Sequence, residues 1–196
     1  SEFAIELTDH AGVKHLFKGC FPEVVFKKGD QVKVIAHPFK TDYSYVLAII
    51  DIKHNYMWTS QQVERGRYRY RIFGMKLIVW SSFFILFVVF IVDFLNANSI
   101  DEMLFSEMHI QITSLVWILI SLFIGWRVGA SFDEQSVELE AILKKLGFYK
   151  PTMMSLNKYS IFSTEPANNQ LNERWKDYTY RIDLAQKDDA EKYGKK

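Results

Sequence analysis

Two uninterrupted apolar stretches divide an otherwise mixed chain. The first, Leu77–Val92, runs sixteen residues without a charge, and the second, Ile110–Trp126, runs seventeen. At a rise of ~1.5 Å per residue, each spans a hydrocarbon core of ~30 Å once its flanks are counted. Both are apolar around the whole helical circumference, a pattern that a soluble chain of 196 residues has little interior to bury. The pattern predicts a transmembrane hairpin, with one helix over residues 72–95, a second over 109–129 and a short outer loop over 96–108.

The flanks orient it. Arg65, Arg67, Arg69, Arg71 and Lys76 precede or open the first stretch, and Arg127, Lys144 and Lys145 follow the second. The loop between them carries Asp93, Asp101, Glu102 and Glu107 and neither lysine nor arginine. The positive-inside rule then places both termini in the cytoplasm and the loop outside a bacterial inner membrane. Tyr68, Tyr70, Trp80 and Trp126 fall near the interfaces, where aromatic belts form.

Outside the apolar stretches the period changes. Residues 1–64 alternate in short runs, Phe3–Leu7, Val13–Lys18, Val24–Phe26, Gln31–Ala36, Tyr43–Asp51 and Asn55–Ser60, punctuated by turn clusters such as Lys27-Lys28-Gly29-Asp30. This predicts a small antiparallel β domain, a barrel or a sandwich. Residues 131–196 predict a helical region. Leu139, Ile142, Leu143 and Leu146 recur at i, i+3, i+4 and i+7, with Gly147 as the stop. Asn157–Ser163 reads as a returning strand. From Pro166 onward, Leu171, Trp175, Tyr178, Ile182 and Ala185 form an apolar helical seam. The fold class expected is an α+β membrane protein: a small antiparallel β domain, a two-helix transmembrane hairpin and C-terminal amphipathic helices.

Charge and cysteine content narrow the partners. With 24 Lys+Arg against 23 Asp+Glu, the chain lacks the basic excess of a nucleic-acid binder. At 49% hydrophobic and 16% aromatic residues it is not a disordered chain. A lone cysteine, Cys20, excludes an intrachain disulfide. His10, His15, His37, His54 and His109 show no ligand spacing on a predicted helix. Glu138 and Glu140 face different sides of theirs. There is no phosphate loop and no nucleophile elbow. The residues therefore point to no enzyme, no cofactor and no metal.

Three groups remain as candidate sites. Arg65, Arg67, Arg69 and Arg71 form a membrane anchor on lipid headgroups or an anion site. Gly125 and Gly129 form a small-xxx-small pair for helix packing, with Ser81, Ser82, Thr113, Ser114 and Ser121 available to hydrogen-bond across the hairpin. Leu171, Trp175, Tyr178 and Ile182 either close the cytoplasmic domain or dock a partner, with Trp175 as anchor.

One order of elements carries a family resemblance. Phe26-Lys27-Lys28-Gly29-Asp30 leads into Gln31-Val32-Lys33-Val34. A strand containing Tyr45-Val46-Leu47-Ala48 follows, and Arg65-Gly66-Arg67 stands before the two apolar stretches. Over about residues 13–130 this resembles the bacterial two-span membrane proteins labelled type VI secretion system effectors. The resemblance implies a non-enzymatic inner-membrane protein of bacterial competition, an immunity or accessory protein, whose partners are the lipid bilayer and a protein partner or a second copy of itself. Two other readings stand beside it: a membrane-permeabilising effector, and a membrane-anchored sensor whose β domain binds a ligand.

Overall fold

The computed structural model describes residues 2–21, 27–38, 43–60, 64–96, 100–167 and 176–194. The chain divides into two compact units, residues 1–66 with 135–196, and residues 67–134.

Among the described residues, the first unit is built on a six-stranded sheet. Alternating sequence gives β1 (Glu2–Thr8), β2 (Lys14–Cys20), β3 (Val32–Pro38), β4 (Ser44–Asp51) and β5 (Tyr56–Thr59). Each of the predicted runs that falls on described residues becomes a strand; Val24–Phe26 lies outside the described residues. The β1–β2 hairpin closes on Asp9, whose carboxylate accepts the amides of Ala11 and Val13 at 2.8 and 2.9 Å. Strand β4 is the hub. β3 runs antiparallel along one edge, from Val32↔Asp51 to Pro38↔Ser44. The other edge is shared: β2 meets its start in parallel, at Phe17↔Ser44 and Lys18↔Tyr45, and β5 meets its end antiparallel. This corrects the expected antiparallel barrel or sandwich. With β3 occupying a whole edge of β4, β2 can join only on the opposite edge, and there its direction is parallel, so the sheet is mixed.

A β-bulge governs the two faces. Ile35 pairs with Ala48 and Ala36 with Val46, leaving Leu47 as the extra residue. The inserted residue resets the alternation. Val46 and Ile49 therefore point to one face, into a core with Phe21, Tyr56, Trp58 and Ile161. Leu47 and Ala48 both point to the other, where Ile35, Ile142 and Leu146 gather. The helix α3 (Asp133–Lys145) covers this second face with Leu139, Ile142 and Leu143 buried, as its spacing predicts. It stops before Gly147, which sits at φ +87°, in the left-handed region that glycine adopts without strain.

The C-terminal part departs from expectation. Asn157–Ser163 is not a strand but a 3₁₀ turn, Leu156–Tyr159, followed by the helical turn α4, Ile161–Thr164. The seam predicted as one helix from Pro166 through Ala185 is interrupted. Tyr180–Arg181 forms β6, antiparallel to β5 through Tyr56↔Arg181 and Met57↔Tyr180, and only then does α5 (Ile182–Tyr193) begin. The pull of an open β5 edge outweighs local helical spacing here. Pairing of β5 with β6 knits residues from the two ends of the sequence into one unit.

The second unit holds α1 (Arg67–Asn96) and α2 (Ile100–Ala130), which pack against each other. Since α2 begins at Ile100, most of the predicted loop 96–108 is helical. The expectation of two membrane-crossing helices is corrected. Among the described residues, one helix is long and apolar enough to cross a membrane, over Arg67–Val92. Ser114–Ala130 qualifies only if it is joined to Asp133–Lys145 across a 62° bend. Extending it through α3 would draw in Glu138, Glu140, Lys144 and Lys145, on a helix whose apolar side is already buried in the first unit.

Candidate functional site

The contact between α1 and α2 is made by their smallest residues. Ser121, Gly125 and Gly129 are buried at intervals of four along α2, and they face Gly74 and Ser82, the buried residues of α1. A Cβ on Gly125 would lie 2.5 Å from the Cα of Met75, and one on Gly129 would lie 2.4 Å from the Cα of Arg71. No side chain fits in either place, so the two backbones touch directly. Farther along, the Ser82 and Ser121 hydroxyls hydrogen-bond at 2.6 Å, while Ser82 also donates to the Ile78 carbonyl at 2.8 Å. The Gly125/Gly129 pair was legible in the sequence. Its counterpart Gly74 was not, because one glycine in a long apolar run has no spacing partner to mark it.

Many bulky apolar side chains of these helices point outward. Trp80, Phe84, Phe87 and Leu95 on α1 and Ile112, Leu115, Leu119 and Phe123 on α2 are exposed, and the most apolar window of α1 is only 6% buried. The arginine run splits. The Arg71 guanidinium binds the Asp133 carboxylate through both Nε and Nη2 and lies 4.7 Å over the Trp126 ring. Tyr70 stacks on Phe132 at 4.6 Å, and Tyr68 tilts against Trp126. Arg71 is thus held within the second unit by Asp133 and Trp126. Arg65 belongs to the first unit, where its backbone bridges Ser155. Arg67 and Arg69 are half-buried on the first turn of α1.

Of the predicted docking seam, Leu171 and Trp175 lie outside the described residues. Tyr178 is half-buried, and Ile182 is buried at the start of α5. Ile182 therefore serves the interior of the first unit. Around it the polar contacts are dense. Arg181 grips Asp183 at 2.7 and 2.9 Å and also binds Glu165, which accepts the Tyr56 hydroxyl at 2.9 Å. The Arg181 hydrogen bond holds the Asp183 carboxyl below its ordinary range against the opposing effect of burial. At the β4–β5 turn, burial works to raise Asp51. The His54 ring at 2.5 Å and the Lys53 amide at 2.8 Å outweigh it and leave Asp51 lowered.

The first unit also carries a cleft of about 760 Å³ that sequence reasoning missed. Its floor is the second face of the sheet: Lys18 and Cys20 of β2, His37 of β3, and Tyr43, Tyr45 and Leu47 at β4. These are cross-strand neighbours, since Lys18 and His37 both pair with Tyr45. Its wall is one side of α3, Glu138, Ala141 and Lys145, at i, i+3 and i+7. The bulge places Leu47 on this face. The Lys18 ammonium lies 4.2 Å over the Tyr43 ring. His37 Nδ1 is 2.8 Å from the Pro38 carbonyl, which can only accept, so Nδ1 donates in this contact. The signals for the cleft were in the strand alternation, but the parallel β2–β4 pairing that assembles it joins distant segments and has no local mark. Among the described residues, no three His, Cys, Asp or Glu side chains are placed to share a metal ion.

No family model matches this chain, and neither a curated protein nor a solved structure matches it.

Proposed function

We propose that this chain is a membrane-anchored protein that works by binding rather than by covalent chemistry. On this reading the helical unit, residues 67–134, is inserted in a bilayer, with α1 as its spanning helix and α2 packed along it. The observation that carries the reading is the inversion of the helical unit: small residues face inward, and bulky apolar side chains cover the outside. In water that surface would cost ~25 cal/mol per Å² of apolar area, whereas lipid tails solvate it without penalty. A soluble pair of helices has the opposite distribution.

Arg65, Arg67 and Arg69 at the entry to α1 support a cytoplasmic side for that end of the helix. The resemblance to type VI secretion proteins supports an immunity or accessory role in a bacterial inner membrane, in which the first unit meets its partner.

Alkaline carbonate extraction of cells expressing the full chain tests insertion. Retention in the membrane pellet is expected; release into the supernatant would overturn the reading.

A further inference from the structure

We infer that the cleft between the sheet and α3 is a binding site for a small aromatic acid, a flat apolar body carrying one carboxylate or a group of like charge. This inference uses only the first unit and stands whether or not the helical unit lies in lipid.

Size comes first. At about 760 Å³ the cleft has the volume of a small-molecule site and not of a groove for a protein segment. Its surface chemistry comes second. Tyr43, Tyr45, Leu47 and Ala141 give it a mostly apolar lining with two rings on the floor. Rings of this kind favour a flat partner that can stack or meet them edge-on.

Charge comes third. A cation stands on each wall, Lys18 from the sheet and Lys145 from the helix, and among the described residues neither forms an ion pair. The Lys18 ammonium stands over the Tyr43 ring, which places it at the floor of the cleft while it stays exposed. An anionic group entering the cleft would find a cation on either side of it. Glu138, two turns and about 10 Å along the same face of α3 from Lys145, repels an acid at its own end and would accept an N–H or O–H there. The charges thus set an orientation, with the acid toward the lysines and the body across the tyrosines.

The lone thiol supplies the assay. Cys20 is exposed and lines the cleft, and it is the only cysteine of the chain. The rate of its alkylation by N-ethylmaleimide, a neutral reagent, reports whether the cleft is occupied. The measurement uses the full chain in lipid nanodiscs, with 2-naphthoate as probe. Its neutral analogue 2-naphthalenemethanol, dodecanoate and inorganic phosphate serve as comparisons.

Naphthoate is expected to slow alkylation severalfold, and the other three to do so only weakly. Lys18→Gln with Lys145→Gln should raise the naphthoate concentration required by roughly tenfold, a shift of the size expected from removing two neighbouring charges. Lys18→Arg should keep it near the original. Equal slowing by the alcohol would overturn recognition of the acid, and stronger slowing by dodecanoate or phosphate would overturn the aromatic body. No slowing by naphthoate would overturn the site. If the double variant misfolds, the comparison of naphthoate with its alcohol on the unaltered chain still decides.

Discussion

A Cβ on Gly74 would sit 2.4 Å from the carbonyl oxygen of Gly125, a distance no side chain can occupy. This contact holds α1 to α2 without a hydrophobic core between them. Close backbone approach gains dispersion over a long interface, and it places Ser82 against Ser121 at hydrogen-bonding distance. Such a seam suits helices whose outer faces are solvated by lipid tails, because burying bulky side chains between them brings no advantage there.

The seam gives a direct expectation. In a Cys20→Ser background, cysteines at Ser82 and Ser121 should form an intramolecular disulfide in high yield. Adding Gly74→Leu or Gly125→Leu forces the backbones apart, at a cost of roughly 1–3 kcal/mol or more. Cross-linking should then fall to background. Unchanged cross-linking in either leucine variant would mean that the helices are held by something else.

The ion pair at the foot of the helices is expected to need an arginine. Arg71 uses two nitrogens on Asp133 while its plane covers Trp126, and both partners keep only about a quarter of their side-chain exposure, 24% and 27%. A lysine is a point charge without the planar fork. Arg71→Lys and Asp133→Asn should each cost about 1–3 kcal/mol in denaturation of the detergent-solubilised chain. Combining them should cost less than the sum, because the partners act together.

In the first unit, the Trp58 indole donates to the Thr179 hydroxyl at 3.0 Å, and both residues are buried. Thr179→Val keeps the shape but strands a buried N–H. It should destabilise the unit by about 1–3 kcal/mol. Thr179→Ser, which keeps an acceptor, should cost clearly less. Equal losses would show that packing and not the hydrogen bond matters at this position.

Much of this was readable from residue order, and the parts that were not share a physical cause. Short runs between turn clusters located β1 to β5, and the spacing of Leu139, Ile142 and Leu143 located α3. Gly125 and Gly129 were visible as a pair. Hidden were relationships between distant segments: Gly74 against Gly125, the parallel step from Lys18 to Tyr45, and the strand Tyr180–Arg181, which forms because β5 offers an open edge. The bulge at Leu47 was hidden for another reason. It changes which face a residue points to without changing the composition of the run. The apolar run Ile110–Trp126 suggested a second span, whereas among the described residues α1 is the single helix that qualifies by itself.

Acid should weaken the first unit in a defined direction. The Arg181 hydrogen bond lowers Asp183 from its ordinary 3.8, with burial opposing. A carboxyl lowered in the folded state stabilises fully above its unfolded-state value and loses that contribution as pH falls through its folded-state value. Stability by near-ultraviolet circular dichroism should therefore hold above pH about 4 and decline below it. Asp183→Asn should lower stability at neutral pH and make the acid decline shallower. A slope unchanged by the substitution would remove this pair from the account.

The claim that the outward apolar face meets lipid is tested most directly at Phe84, a residue 70% exposed on α1. A single cysteine is placed there in the Cys20→Ser background, with Val13→Cys, exposed on the first unit, as control. The labelling rate by a membrane-impermeant maleimide is then measured in open membrane fragments, with both faces accessible. The account predicts fast labelling at position 13 and essentially none at position 84 until detergent and denaturant are added. Equal labelling at both positions would place α1 in water and contradict the account.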